Sequence, residues 1–137
     1  MKILIATHGH LADGVKDNLA LFIDVNDVEV INAYVDGDDG TWLDDVDGFV
    51  NECGEDEVRV IFTDILGGSV NQKILERNKC SNVKVIAGFN IALILEVYLS
   101  GLKTDEEIEK AIESARAQMQ LCQLKKVEEV DEDDFLI

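Results

Sequence analysis

Residues 58–70 read VRVIFTDILGGSV, and the prediction of the fold depends on the pattern in this short stretch. Its first part, Val58–Asp64, is a nearly continuous apolar run, which is typical of a strand covered on both faces of a sheet. After the glycine pair, Ser69 and Gln72 have the spacing of a helix N-cap and its partner, so we expect a helix to begin there. A buried strand, a glycine turn and a helix in this order indicate an α/β protein.

Three runs similar to Val58–Asp64 predict three more strands. They are Lys2–Ala6, Val28–Tyr34 and Asn82–Gly88. The first and the last of them are also nearly continuous in aliphatic residues. Since strands of this kind are buried on both sides, we expect helices to cover both faces of the sheet.

The segments between the predicted strands have the apolar spacing of helices. In the second segment, one helical face carries only apolar side chains, namely Trp42, Val46, Phe49 and Val50. Thr41 and Asp44 have the spacing of a capping box at the start of this helix. Two more helices follow the fourth strand, one over residues 91–99 and one that opens at Thr104. The order βαβαβαβαα predicts a three-layer α/β sandwich with a central, mainly parallel four-stranded sheet.

Length and composition narrow the class of protein further. The 137 residues are enough for one domain, predicted over residues 1–130, with the acidic run at 131–137 as a solvated tail. The net charge of −17 disfavours nucleic acid and anionic membranes as partners, and favours a basic protein surface. No apolar run is long enough to span a bilayer. Without a CxxC pair or an evident signal peptide, the three cysteines are expected to be reduced thiols of a cytoplasmic protein.

Polar residues that could bind a ligand or take part in a reaction follow the predicted strands. The first strand runs into Thr7-His8-Gly9-His10, which contains both histidines of the chain, and the third strand ends at Asp64. Asn90 follows the fourth strand. In an open α/β sheet, ligands bind beyond the carboxyl ends of the strands. If the first and third strands are neighbours, His8 and Asp64 face each other across one crevice.

A paired histidine and aspartate next to a glycine loop favour phosphoryl chemistry. A carboxylate that accepts a hydrogen bond from one imidazole nitrogen fixes the tautomer, and the other nitrogen can then act as a nucleophile. The loop of Gly67, Gly68 and Ser69 opens a helix, whose free amides form an anion site. Basic side chains are scarce near these loops in the sequence, so backbone donors are expected to hold the phosphoryl group. Because no GxxxxGKS/T loop is present, the sequence predicts phosphoryl transfer through histidine without a nucleotide.

Other interpretations of these residues remain open. His8, His10 and Asp64 could supply three ligands to a metal ion, although the transfer hypothesis needs no metal. The crevice could also belong to a binding module that senses a phosphorylated metabolite without reacting. Taken singly, each residue also has an ordinary explanation as a loop, turn or cap residue.

Three motifs resemble one known protein family. Thr7-His8-Gly9, Asp64 with Gly67-Gly68-Ser69, and Val85–Asn90 are similar to those of the IIA component of mannose-type (mannose–fructose–sorbose) sugar phosphotransferase systems, over roughly residues 1 to 122. The resemblance implies a phosphotransferase without a cofactor, in which His8 receives a phosphoryl group from phospho-HPr and passes it to the IIB component during sugar uptake.

The same resemblance implies further residues and partners. It implies that Asp64 hydrogen-bonds the imidazole of His8. By their positions after the strands, Gly67, Gly68 and Ser69 are expected to bind phosphate, and Thr7, Gly9 and Asn90 could line the same pocket, although the position of Asn90 is more typical of a turn residue or a cap. The resemblance also implies a cytoplasmic homodimer that associates only indirectly with the membrane components IIC and IID. An antiparallel edge strand exchanged between the two subunits would then correspond to Val127–Val130.

The sequence departs from the family at a few positions. Family members often carry Thr-Trp after the aspartate and Pro after the GGS motif, whereas this chain has Ile65-Leu66 and Val70. His10 is interpreted as a bystander. The phosphotransferase subunit that serves dihydroxyacetone kinase is also similar, and it remains an alternative, although the intact GGS motif favours sugar transport.

Overall fold

The computed structural model describes residues 1–124. Within these residues, four strands alternate with helices, and two helices follow the last strand. The strands are β1 (Ile3–His8), β2 (Val28–Ala33), β3 (Arg59–Thr63) and β4 (Val83–Ala87). The helices are α1 (Leu11–Leu19), α2 (Trp42–Asn51), α3 (Ser69–Arg77), α4 (Ile91–Ser100) and α5 (Asp105–Ala117). The predicted edge strand at Val127–Val130, its exchange in a dimer and the tail at 131–137 lie outside the described residues.

The four strands form one parallel sheet in the order β2-β1-β3-β4, which confirms the predicted α/β fold. β1 pairs with β2 from Ile3 opposite Val28 to His8 opposite Ala33. On its other side, β1 pairs with β3 up to Ala6 opposite Thr63. The chain therefore moves outward in one direction from β1 to β2 and in the other to β3 and β4. This reversal between β1 and β3 is the position at which sheets of this class bind ligands.

Helices cover both faces of the sheet, as the aliphatic strands predict. Because side chains alternate along a strand, Ile3 and Ile5 pack into the core beneath α1, α4 and α5. Leu4 and Ala6 pack into the opposite core, beneath α2 and α3. The sheet is thus the middle of three layers. No helix among residues 1–124 has the length and apolar character needed to cross a bilayer.

The helix starts follow the sequence signals only in part. Thr104 caps α5 as expected, since its Oγ1 accepts a hydrogen bond from the amide of Glu107 at 3.2 Å. Thr41 is the N-cap residue of α2, as predicted, but the capping box is wrong, because Thr41 has helical backbone angles and its side chain makes no cap hydrogen bond. Its amide instead donates to Asp39 Oδ1 at 3.1 Å. The predicted apolar face of α2 is confirmed, with all four of its members buried.

A buried arginine joins the start of β3 to the end of α2. Arg59 is only 4% exposed, and its guanidinium donates to the carbonyl oxygens of Phe49 at 2.9 Å and Glu52 at 3.2 Å. Its Nε also donates to Glu57 Oε1 at 2.7 Å. The last carbonyls of a helix have no partner within the helix. Arg59 therefore satisfies them from the neighbouring strand.

We expect Arg59→Met to lower the free energy of unfolding by about 2–3 kcal/mol, since hydrogen bonds to a charged group are lost and buried carbonyls are left without donors. Urea denaturation monitored by circular dichroism measures the change. Arg116→Met is the matched control, because Arg116 pairs with Glu113 on the surface and its side chain is 71% exposed. Its effect should stay within about 0.5 kcal/mol. Equal losses in the two variants would contradict the structural role of Arg59.

Candidate active site

His8 and Asp64 meet at the carboxyl ends of the two central strands. His8 is the last residue of β1, and Asp64 directly follows β3. The imidazole Nδ1 of His8 lies 2.9 Å from Asp64 Oδ2, and the same oxygen accepts a hydrogen bond from the backbone amide of His8 at 2.9 Å. Because an ionised carboxylate can only accept, Nδ1 carries the hydrogen and Nε2 presents its lone pair. The His8 side chain is 39% exposed, so this nitrogen is within reach of another molecule.

The carboxylate of Asp64 is held in its charged form. Burial acts to raise the pKa of Asp64, but the hydrogen bonds from the amide and the ring of His8 outweigh it, and the pKa lies below its usual value. The other oxygen, Oδ1, is buried and has no hydrogen-bond partner among residues 1–124. The negative charge next to the imidazole is therefore maintained at neutral pH.

The glycine loop turns the chain from β3 into α3. Gly67 has φ +74°, a left-handed conformation in which a side chain is strained. Its amide donates to Asn71 Oδ1 at 3.1 Å, and Asn71 Nδ2 donates in turn to Thr63 Oγ1 at 3.0 Å, which ties the loop to the end of β3. The amide of Gly68 donates to Ile65 at 3.0 Å. The amides without an acceptor in the helix are those of the first turn of α3, which begins at Ser69.

Ser69 has a different role from the predicted one. The N-cap of α3 is Gly68, and Ser69 is the first helical residue, so the assignment of Ser69 as the N-cap is wrong. Its Oγ lies 3.3 Å from His8 Nε2 instead. Since Nε2 carries no hydrogen, the hydroxyl of Ser69 donates to it. The first helical position therefore places this hydroxyl beside the ring nitrogen of His8 that faces away from Asp64.

The neighbours of His8 in the chain determine how it leaves the strand. Thr7 is fully buried, and its Oγ1 accepts a hydrogen bond from the amide of Ala12 at 2.9 Å, which anchors the start of α1. Gly9 has φ +62° and donates its amide to Ala33 at 2.8 Å, which extends the pairing of β1 with β2 past His8. Both residues therefore support the position of His8.

His10 and Asn90, the other two candidate residues, take no part in the contact between His8 and Asp64. His10 precedes α1 with a side chain that is 74% exposed, and its Nδ1 lies 3.7 Å from Asp13. Among residues 1–124, no three side chains of the ligating types gather as a metal site would require, so the geometry does not support the metal hypothesis.

Asn90 caps α4 by accepting from the amide of Leu93, and it donates to the carbonyl of Ala115. Its place in the pocket stays a prediction.

Two side chains at the site were missed by the sequence analysis. The ring of Tyr34, which follows β2, has its centroid 5.4 Å from that of His8. Lys73, on α3, donates from Nζ to Tyr34 Oη at 3.0 Å. Although basic side chains are scarce near the loops in the sequence, the fold therefore places one of them, Lys73, beside the site. One available signal was the spacing of Lys73 from Ser69, because residues four apart share a face of a helix.

One family model matches this chain, and several solved structures have a similar fold. The family model EIIA-man, described as PTS system fructose IIA component, matches residues 2–116. The PTS IIA protein associated with the fucose utilization operon from Streptococcus pneumoniae is 24% identical, with a TM-score of 0.72 over 92% of this chain and 94% of that one. The mannose/sorbose specific IIA subunit from Enterococcus faecalis is 19% identical, with a TM-score of 0.74 over 90% of this chain and 95% of that one.

A further solved structure has the same fold. The phosphotransferase system component EIIA from Streptococcus agalactiae is 25% identical, with a TM-score of 0.66 over 88% of this chain and 95% of that one. The comparison with curated protein sequences gives no match. The structures support the fold, and the family model spans most of the chain. The chain therefore belongs to the EIIA-man family, the IIA components of phosphotransferase systems (PTS) of the mannose, fructose and sorbose type.

Proposed function

We propose that this protein is a phosphocarrier that accepts a phosphoryl group from phospho-HPr on His8 and donates it to a IIB component during sugar uptake. The observation that carries the proposal is the contact between His8 Nδ1 and Asp64 Oδ2, which leaves Nε2 exposed beside the hydroxyl of Ser69. As the family implies, the proposal includes a cytoplasmic homodimer that works with the membrane components IIC and IID only through IIB.

The transfer uses the tautomer that Asp64 selects. The lone pair of His8 Nε2 attacks the phosphorus in line, and the P–N bond of phospho-HPr breaks as the new P–N bond forms. The bonding electron pair returns to the histidine of HPr. The proton stays on His8 Nδ1, so the ring becomes positively charged, and the carboxylate of Asp64 offsets this charge. No base is needed to remove a proton.

The start of α3 receives the oxygens of the phosphoryl group. The hydroxyl of Ser69 and the free amides of the first turn lie at the positive end of the helix dipole, which favours an anion. Gly67 and Gly68 contribute by shaping the loop, since their own amides donate within it.

An open site fits exchange between two proteins. The reacting nitrogen must come within bonding distance of a group on another protein, and the exposure of His8 permits this approach. Next to it, Ile65 and Leu66 have side chains that are 56% and 82% exposed, which offers an apolar surface to a partner. The net charge of −17 attracts a partner with a basic face.

Intact-mass spectrometry tests this proposal. We expect an acid-labile adduct of one phosphoryl group after incubation with phosphoenolpyruvate, enzyme I and HPr, and no adduct when enzyme I is omitted. Purified IIB should then remove the adduct. Absence of the adduct would overturn the phosphocarrier function. An adduct that only the subunits of dihydroxyacetone kinase remove would overturn the role in sugar uptake.

A further inference from the structure

Tyr34 has a strained backbone at the edge of the site. Its φ of +61° makes it the only residue other than glycine with a positive φ among residues 1–124. This conformation is unfavourable for a bulky side chain, and such strain often marks a functional position. Asp38 holds the turn, since its Oδ2 accepts a hydrogen bond from the amide of Tyr34. The strained turn places a phenol that is 46% exposed beside the ring of His8.

Lys73 is held next to this phenol by contacts other than an ion pair. Its Nζ donates to Tyr34 Oη at 3.0 Å, and it lies 5.2 Å from the ring centroid of Tyr34 and 5.9 Å from that of Trp42. Among residues 1–124, no carboxylate lies within salt-bridge distance of Lys73. In a chain with 29 acidic residues, the charge of this lysine therefore remains available for another anion.

Ser69 connects this pair to the reacting nitrogen. The hydrogen bond from Lys73 is the largest cause that lowers the pKa of Tyr34, in spite of its partial burial and the nearby charge of Asp38, and Ser69 lies close enough to the phenol to act in the same direction. The hydroxyl of Ser69 also reaches His8 Nε2 at 3.3 Å. The polar atoms thus follow one another from Nε2 through Ser69 and Tyr34 to the ammonium group of Lys73.

We propose that Tyr34 and Lys73 bind the phosphoryl group carried by His8, with the phenol and the ammonium group each donating a hydrogen bond to its oxygens. This inference rests on the proposed function. A phosphoryl oxygen is a stronger acceptor than a phenol, so the ammonium group gains a charge-assisted hydrogen bond when His8 is phosphorylated. The covalent step is the one described above, and Tyr34 and Lys73 keep their protons throughout it.

The equilibrium between the two carriers tests the inference directly. Each variant is mixed with HPr and phospho-HPr until the ratios stay constant, and intact-mass spectrometry gives the fraction of each protein that is phosphorylated. For Lys73→Met, we expect the equilibrium constant for acceptance by His8 to fall about tenfold, as for the loss of one charge-assisted hydrogen bond. Tyr34→Phe should lower it several-fold. Lys73→Arg should keep it within about twofold of the wild type, because a guanidinium also donates charge-assisted hydrogen bonds to phosphoryl oxygens.

Lys110→Met is the matched control. It removes the same charge from α5, on the opposite face of the sheet, where Lys110 pairs with Glu106 and is 79% exposed. We expect it to leave the equilibrium constant unchanged. Thermal unfolding checks that each variant is folded, and Lys73→Gln replaces Lys73→Met if the latter is not.

Each contrary result has a distinct meaning. An unchanged equilibrium constant in Lys73→Met overturns the inference even if transfer becomes slower, because partner docking affects the rate but not the equilibrium between free species. An equal fall in Lys110→Met overturns it as well, since net charge then explains the effect. Failure of the proposed function would be seen first, as a wild-type protein that accepts no phosphoryl group.

Discussion

His8→Ala is expected to abolish acceptance of the phosphoryl group. The variant has no nitrogen at the position of Nε2, and neither Ser69 nor the amides of α3 can form the P–N bond in its place. We expect labelling to fall at least about 10³-fold, as for the loss of a covalent nucleophile. Radioactive phosphoenolpyruvate with enzyme I and HPr measures it. The fold should persist, because the side chain of His8 is partly exposed and packs at the end of a strand.

His10→Ala is the matched control, since it removes the other histidine two positions away. Its ring is 74% exposed and is not connected to Asp64, so labelling should remain at the wild-type level. If His8→Ala were still labelled, the phosphoryl group would reside elsewhere. If the wild type bound a phosphorylated metabolite and His8→Ala bound it equally well, without labelling of either protein, the crevice would be a sensing module.

Asp64→Asn is expected to slow phosphoryl transfer about 100-fold or more, the size of effect associated with the loss of one group that stabilises charge developing in the transition state. The amide oxygen of asparagine can still accept a hydrogen bond from Nδ1, but it carries no charge. The positive charge that the ring acquires during transfer is then no longer offset. The variant should remain folded, because the amide oxygen can also accept from the backbone of His8, as Asp64 Oδ2 does.

Rapid-quench measurements with phospho-HPr give the rate of this variant. Asp13→Asn is its matched control, because Asp13 lies next to His10 in an exposed pair at 3.7 Å. We expect the rate of Asp13→Asn to equal that of the wild type. A wild-type rate in Asp64→Asn would remove the carboxylate from the mechanism. A variant that is slow because it has unfolded would be recognised by a loss of its unfolding transition.

The strands and most helices could be predicted because the spacing of apolar residues along a short segment indicates which of its faces are buried. A strand covered on both faces must be apolar along its whole length, as Ile3–Ala6 shows, and a helix that covers a sheet needs one apolar face, as α2 has. Helix starts were less predictable. Thr41 and Ser69 both have cap spacing, yet the side chain of neither makes a cap hydrogen bond. Thr41 holds the N-cap position with helical backbone angles, and the N-cap of α3 is Gly68 instead of Ser69.

The core of the candidate site could be proposed from two residues at strand ends. His8 and Asp64 are 56 positions apart, and their contact requires β1 and β3 to be neighbours. The sequence of a strand does not specify which strand lies beside it. The contact could therefore be predicted only on the condition that β1 and β3 are neighbours. The parallel sheet fulfils it, because the carboxyl ends of adjacent parallel strands open onto the same edge.

The order of residue types along the chain was enough to predict an α/β protein with a histidine and an aspartate at its strand ends, since periodic burial and strand direction are local properties. The series of neighbouring polar side chains from His8 through Ser69 and Tyr34 to Lys73 is formed only by the tertiary structure. Tyr34 and Lys73 are 39 positions apart and belong to no shared motif. They meet because the end of β2 and the face of α3 converge there, and because a left-handed turn held by Asp38 directs the phenol toward the imidazole.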